Sequence, residues 1–273
     1  MALRLATWNI NSVRLRLDNV RRFIAERQPD VLCLQETKAH DDVFPRETFA
    51  ALGYTHQLVH GMKSYNGVAV LSRLPLKETG TQSWRQREDC RHGVVRLEGG
   101  VELHNLYVPA GGDIPDPAAN PKFAHKLQFL DELTAWFGEA RSARKPMIVV
   151  GDLNIAPLET DVWSHKQLLD VVSHTPVEVA KLEALQRAAK FVDAVRAFIP
   201  PEERLFSWWS YRAHDWDTSD RGRRLDHVWV TPPLGGKLRS AIIDIPGVGK
   251  VAEFADTEDN IACAMQYELR EFR

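Results

Sequence analysis

The sequence predicts an α/β protein in which two sheets pack face to face, on three observations. Short apolar runs rich in β-branched residues alternate with longer stretches of helical period. Between Tyr54 and Val108 the strand-like runs come closely spaced, which argues against a simple doubly wound sheet and for two packed sheets. Several of the apolar runs also stop in polar clusters, as strands do where a sheet presents a site at its ends.

Taken in order, Leu3 to Asn11 reads as a strand ending in a polar turn. Leu15 to Glu26 has helix spacing, with Leu17, Val20, Phe23 and Ile24 on one side, and Pro29-Asp30 stops it. Val31-Leu32-Cys33-Leu34 is a second buried strand that runs into Gln35-Glu36-Thr37-Lys38, so one strand end offers Asn9 and the next Glu36. A helical segment around Pro45 to Leu52 precedes strand-like runs at Tyr54 to Val59, Gly67 to Leu71, Gly93 to Leu97 and Val101 to Val108. On the last of these Asn105 and Tyr107 share a face, opposite His104 and Leu106, and Pro109-Ala110-Gly111-Gly112 makes a loop just beyond Tyr107. Asn120 to Glu139 is a helix opened by Pro121, with Phe123, Leu127, Leu130, Leu133 and Phe137 in a stripe. Thr160 to Arg196 is mixed and partly helical, Val228 to Val230 is a strand, and Ile261 to Leu269 is the final one. No repeat, low-complexity segment or linker divides residues 1–273, which predicts a single domain.

The formal charge of −2 excludes a generally basic nucleic-acid binder, so a polyanion site has to be a local patch. Cys33, Cys90 and Cys263 are scattered without a C-x-x-C, against a zinc cluster or disulfide framework and in keeping with a reducing cytoplasm. No signal peptide is visible, and no run reaches the roughly 18 apolar residues of a membrane span.

The central stretch is Met147-Ile148-Val149-Val150-Gly151-Asp152-Leu153-Asn154. In extended chain Asp152 and Asn154 point to one face, where a carboxylate and an amide can orient a water and hold a charged oxygen. An Asx-turn at a strand end reads the same residues as purely structural. Farther on, Trp208-Trp209 lie near four arginines, Arg212, Arg221, Arg223 and Arg224, a composition suited to stacking bases or sugars and gripping phosphates. Core packing and a solvated turn are the alternative. Asp226 enters a strand between Leu225 and Val228, where an unpaired carboxylate is costly, so it needs a partner. His227 faces the opposite way and reads as structural. Asn9, Glu36, Tyr107, Asp152, Asn154, Asp226, Asp259 and Asn260 all fall at strand ends. They offer oxygen ligands, which fits Mg²⁺ or Mn²⁺ better than zinc and suits phosphodiester hydrolysis.

The segments Thr7-Trp8-Asn9-Ile10-Asn11, Leu34-Gln35-Glu36-Thr37-Lys38, Gly67 to Arg73, Asn105-Leu106-Tyr107-Val108-Pro109, Gly151-Asp152-Leu153-Asn154 and Arg224-Leu225-Asp226 resemble, in family order, the exonuclease III family of bacterial DNA-repair enzymes. The resemblance covers nearly the whole chain. It implies a four-layer α/β/β/α sandwich of two packed mixed sheets, DNase I-like, and a metal-dependent hydrolase. The substrate implied is double-stranded DNA, cut at abasic sites or digested from 3′ ends by a monomer. Glu36 then resembles the metal carboxylate with Asn9 beside it, and Asp152, Asn154 and Asp259 complete the implied metal set. Asp152 resembles the group that activates water or protonates the leaving oxygen, and Tyr107 and Asn154 the phosphate contacts. Trp208 and Leu225 fall where the family packs an extruded abasic sugar. Lys38, Tyr65, Asn66, Arg221, Arg223 and Arg224 are the implied backbone contacts.

One position departs from that pattern. The family ends in Ser-Asp-His-x-Pro, its histidine oriented by the residue matching Asp226, whereas this chain reads Glu258-Asp259-Asn260-Ile261-Ala262. Asparagine can hydrogen-bond a phosphate oxygen but cannot carry a proton. General acid–base help is worth roughly 10²–10⁴-fold, so the substitution implies weakened turnover, or nucleic-acid binding without cutting. A phosphatase for a small or lipid phosphate fits the tryptophan and arginine cluster less well.

Overall fold

A computed structural model describes residues 3–210, 220–244 and 264–269. Its strands are β1 (Leu3–Asn9), β2 (Val31–Gln35), β3 (His56–His60), β4 (Val68–Ser72), β5 (Leu76–Thr81), β6 (His92–Leu97), β7 (Glu102–Tyr107), β8 (Met147–Asp152), β9 (Val192–Asp193), β10 (Asp226–Val230), β11 (Leu238–Asp244) and β12 (Ala264–Leu269). They form two six-stranded sheets, ordered β11-β12-β1-β2-β4-β3 and β5-β6-β7-β8-β10-β9. Each is mixed: β1 runs parallel to β2 and β7 parallel to β8, while β2–β4 and β8–β10 are antiparallel.

The inner faces of the sheets meet in one apolar layer. Leu5, Val31, Cys33 and Val70 from the first sheet pack on Leu103, Ile148, Val150 and Val228 from the second. Two helices, α1 (Leu17–Arg27) and α2 (Arg46–Ala51), cover the outside of the first sheet, Val20, Phe23, Ile24 and Phe49 closing on Trp8, Leu32 and Leu34. On the outside of the second lie α3 (Pro121–Ala140) and, after the one-turn α4 (His165–Leu168), α5 (Pro176–Ala188). Phe129, Leu133 and Phe137 of α3 and Leu182 and Leu185 of α5 pack on Val149 and Trp229. Helix, sheet, sheet, helix is the four-layer order expected. Strands buried on both faces explain why β2, β4 and β8 are nearly uninterrupted apolar runs rather than alternating ones.

Strands β5, β9 and β11 were not predicted, and each lies at a sheet edge. An edge strand needs little apolar patterning, and β5 (Leu-Lys-Glu-Thr-Gly-Thr) has almost none. The mixed, partly helical stretch from Thr160 to Arg196 resolves into α4, α5 and β9. Helix α5 opens with Pro176 and a capping box between Thr175 and Glu178. Among the described residues no helix is long and apolar enough to cross a membrane.

Candidate active site

The parallel pairs β1–β2 and β7–β8 bring four carboxyl ends to one edge of the sandwich. Asn9 closes β1, Glu36 follows β2, Tyr107 closes β7, and Asp152 closes β8 directly opposite it in register. Strand β10 runs the other way, so Asp226 begins it and pairs with Asp152. Beneath these ends the sheets are tied by buried amides. Gln35 Nε2 donates to Asn105 Oδ1 at 2.6 Å, and Asn105 Nδ2 donates to the carbonyls of Leu34 and Ala69 at 3.0 and 2.9 Å. A polar tie across an apolar interface fixes the register of one sheet on the other, because any slip strands buried donors.

Above the tie, Asn9 Nδ2 donates to Glu36 Oε1 at 3.0 Å and to Asp152 Oδ2 at 2.8 Å, so one amide bridges carboxylates from both sheets. Tyr107 Oη donates to Glu36 Oε1 at 2.8 Å, and Lys38 Nζ sits 2.9 Å from Glu36 Oε2. Ser207 Oγ donates to Asp226 Oδ2 at 2.7 Å, the partner that Asp226 needed. Its other oxygen, Oδ1, is buried and has no hydrogen-bond partner among the described residues. His227 turns to the opposite face, where Nε2 lies 2.8 Å from the Ile155 carbonyl.

The loop after β8 combines both readings of Asp152 and Asn154. Asn154 is not reached by extended chain: it sits at φ +54°, a left-handed turn that asparagine tolerates. Its backbone N–H donates to Asp152 Oδ1 at 2.9 Å, an Asx-type contact, and its side-chain amide donates to the Val108 carbonyl at 2.9 Å. Gly151 adopts φ +135°, and a Cβ there would fall 1.9 Å from the Leu106 carbonyl oxygen, so only glycine lets β8 close on β7 here. Left-handed φ recurs at Asn11, Ser12, Glu36 and Lys38, a concentration of backbone strain typical of working loops.

Burial and mutual repulsion set the proton affinities. Burial pushes the Asp152 carboxyl up to about 7, with the Asn9 hydrogen bond opposing and the Glu36 charge reinforcing that rise. Burial beside Asp152 likewise raises Asp226 well above the carboxylate range. Burial would raise Glu36 too, but the Lys38 charge and hydrogen bonds from Asn9, Lys38 and Tyr107 outweigh it and hold Glu36 low. Tyr107 is driven well above 10 by burial and by the charges of Glu36 and Asp152, so it stays a phenol able to donate.

Glu36, Asp152 and Asp226 with the Asn9 amide, beside the Lys38 ammonium, offer the oxygen donors that a hard divalent cation takes. Among the described residues no three His, Cys, Asp or Glu side chains stand close enough to hold a metal unaided. That donor set fits an ion such as Mg²⁺, which keeps waters and takes substrate phosphate oxygens to complete its shell.

The expected DNA contacts are found in different states. Lys38 lies on Glu36, and Tyr65 is 68% exposed. Asn66 donates to the Asp89 carbonyl and is part-buried. Trp208 and Leu225 pack together in a small apolar cluster with Ala156, Val162, Leu168 and Trp163. Arg224 is a correction: it is 1% exposed, 3.0 Å from Asp161 and 2.7 Å from Asp193, and holds the loop before β10 to the body of the protein. A buried guanidinium held between two carboxylates has no reach toward phosphate. Arg223 also commits Nη1 to the Val172 carbonyl and Ser173 Oγ. Arg221 is exposed. Asp259 and Asn260, like Arg212, lie outside the described residues.

Several working residues carried no sequence signal. Lys126, on α3, is fully buried and donates to Glu178 at 2.5 Å, the Asn154 carbonyl at 2.8 Å and the Ala110 carbonyl at 3.2 Å. It thereby ties down the loops after both β7 and β8. Arg91 lies over the Tyr107 ring, 4.7 Å from its centroid, and pairs with Asp89 at 2.6 Å. Ser207 is one small residue in an aromatic run, visible only once β10 is placed beside it.

The family model for the Endonuclease/Exonuclease/phosphatase family matches residues 6–248. The chain belongs to that family. It is 30% identical to exodeoxyribonuclease III of Haemophilus influenzae over 266 residues, which cover 93% of this chain and 97% of that protein. Among solved structures it resembles an AP endonuclease from Archaeoglobus fulgidus at 29% identity and a TM-score of 0.87, covering 98% and 100% of the two chains. A 3′ phosphatase from Neisseria, bound to a product DNA hairpin, superposes at 25% identity and a TM-score of 0.84, covering 98% and 100%. The four-layer architecture read above is shared with these neighbours.

Proposed function

We propose that the protein is a divalent-metal-dependent DNA-repair phosphodiesterase that cuts at abasic sites and removes nucleotides or blocking groups from 3′ ends of duplex DNA. The observation that carries this reading is the Asn9 amide joined to both Glu36 and Asp152, since it brings carboxylates from separate sheets into one cleft. Kinship with exodeoxyribonuclease III, an AP endonuclease and a 3′ phosphatase supports the reaction class and DNA as the substrate.

Glu36 with Asn9, Asp152, Asn154 and Asp259 would hold Mg²⁺ or Mn²⁺, which supplies neutralisation of phosphate charge. Asp152 works on the proton. With its affinity near neutrality, it can take a proton from the attacking water or return one to the leaving oxygen. Tyr107, held as a phenol, donates toward the phosphate oxygens as charge builds on them, and Asn154, whose Nδ2 holds the Val108 carbonyl with one hydrogen, offers the other. Asp226, at the start of β10, faces Asp152 of β8 in register, and its buried Oδ1, without a partner among the described residues, can accept from a donor. Asn260 can donate a hydrogen bond but no proton, which predicts impaired turnover. The scattered cysteines, of which Cys33 and Cys90 are free and buried, support a reducing, cytoplasmic setting, and the single-domain monomer stays part of this proposal.

A second reading, a silent relative that grips DNA without cutting it, rests on Asn260 alone. Nicking of an abasic-site duplex with Mg²⁺, run beside an EDTA control, separates the two. Metal-dependent nicking lost in Asp152→Asn supports the nuclease; binding without nicking supports the silent relative.

A further inference from the structure

Beside the Trp208–Leu225 cluster the fold repeats a motif. Val162 and Trp208 flank Arg223 as isolated antiparallel bridge partners, and the Trp163 N–H donates to the Gly222 carbonyl at 3.1 Å. The segments 162–163, 207–208 and 222–223 therefore run side by side. Trp163 and Trp208 both pack against Leu225 and Val162, and both are only partly buried. Each carries a guanidinium on its ring: Arg223 lies 5.6 Å from the Trp208 centroid and Arg221 lies 5.0 Å from that of Trp163. The backbone is held to this arrangement by Gly222, where a Cβ would meet the Phe206 ring at 2.4 Å. Arg223 is engaged inward with Val172 and Ser173, whereas Arg221 is exposed.

Partly exposed indoles paired with arginine are the chemistry that takes a nucleobase by its π-face and the adjacent phosphate by charge. The cluster takes in Ala156 and Leu225, two residues along from Asn154 and next to Asp226 respectively, which ties both indoles to the segments that carry the acidic cleft. We propose that Trp163 with Arg221 forms a stacking step for an unpaired base flanking the cleaved linkage, making Trp163 a specificity-determining residue for DNA with a frayed or extruded nucleotide. This deepens the nuclease reading and rests on DNA being the ligand, but it concerns binding and not the chemical step.

The test uses the full chain and two labelled duplexes, with an unpaired adenine or an abasic tetrahydrofuran residue next to a tetrahydrofuran target. Binding is followed by anisotropy in EDTA and cleavage in Mg²⁺. Wild type is expected to prefer the unpaired adenine by about tenfold. Trp163→Leu should erase the preference while leaving affinity for the all-tetrahydrofuran duplex within about twofold, and Trp163→Phe should keep most of it. Arg221→Ala, at an exposed position, should weaken binding to both duplexes and lower the salt slope by about one. A preference that survives in Trp163→Leu, or equal loss on both duplexes, overturns the inference, because a merely structural tryptophan moves both alike. Wild type that binds with this preference yet never nicks upholds the stacking step and sinks only the nuclease reading.

Discussion

Replacing Lys126 by methionine should destabilise the protein by about 3–5 kcal/mol, the cost of leaving one member of a buried ion pair alone. Both Lys126 and Glu178 are 0% exposed, so water cannot compensate for the lost partner. The Glu178 carboxylate keeps its bonds from the Ser173 and Thr175 N–H groups and the Thr175 hydroxyl, which places the loss toward the lower end of that range. Against it stand the Asn154 and Ala110 carbonyls, each orphaned at a cost of about 1 kcal/mol or more. Glu178→Gln should cost a similar amount by leaving the ammonium unpaired. The double variant Lys126→Met/Glu178→Gln should recover about 2 kcal/mol of the summed losses, as directly coupled pairs do. Urea denaturation at constant pH measures all three. Because the Asn154 carbonyl is one of the anchors, turnover should fall in Lys126→Met even where the protein is fully folded. A loss under about 1 kcal/mol, or strict additivity in the double variant, would refute the view that this pair is the fastening of the site loops.

Four further outcomes follow from the same geometry. Asp152→Asn should lower turnover by roughly 10²–10⁴-fold with little change in DNA affinity, read by single-turnover nicking. Tyr107→Phe removes the donor on Glu36 and should cost about 10²-fold in kcat with Tm nearly unchanged; an unaltered kcat would take the phenol out of the mechanism. Asn260→His should raise turnover at least about tenfold, and a rate equal to wild type would mean that Asn260 does not stand at the family's histidine position. Acid should destabilise the fold through His227, whose affinity burial depresses to about 3. Above pH 6.5 both folded and unfolded states hold it neutral; as pH falls from there toward 3 only the unfolded state gains the proton. Stability is therefore lost by about 2 kcal/mol between pH 7 and 5. Chemical denaturation of His227→Gln, which keeps a donor for Ile155 but does not titrate, should show that much less acid sensitivity.

Much of this molecule was written in local pattern. The runs that became β1, β2, β7 and β8 are legible because strands buried on both faces must be apolar throughout, and their ends are legible because the apolar run stops. Asn9, Glu36, Tyr107 and Asp152 could thus be picked out as strand-end polar groups and matched to a family by their order. What no local pattern carries is the partner across the sandwich. That Asn9 joins Glu36 to Asp152, that Ser207 meets Asp226, and that Lys126 fastens Asn154 depends on contacts between residues 19 to 143 apart in the chain. Arg224 shows the same limit from the other side. In sequence it is one more cation in a basic run, and only the approach of Asp161 and Asp193 turns it from a phosphate contact into a buried brace. Edge strands β5, β9 and β11 were hidden because pairing on one side asks little of composition. Residue types and their order determined which groups could do chemistry; the packing of two sheets decided which of them meet, since hydrogen bonds and charge act over a few ångströms in space and are blind to distance along the chain.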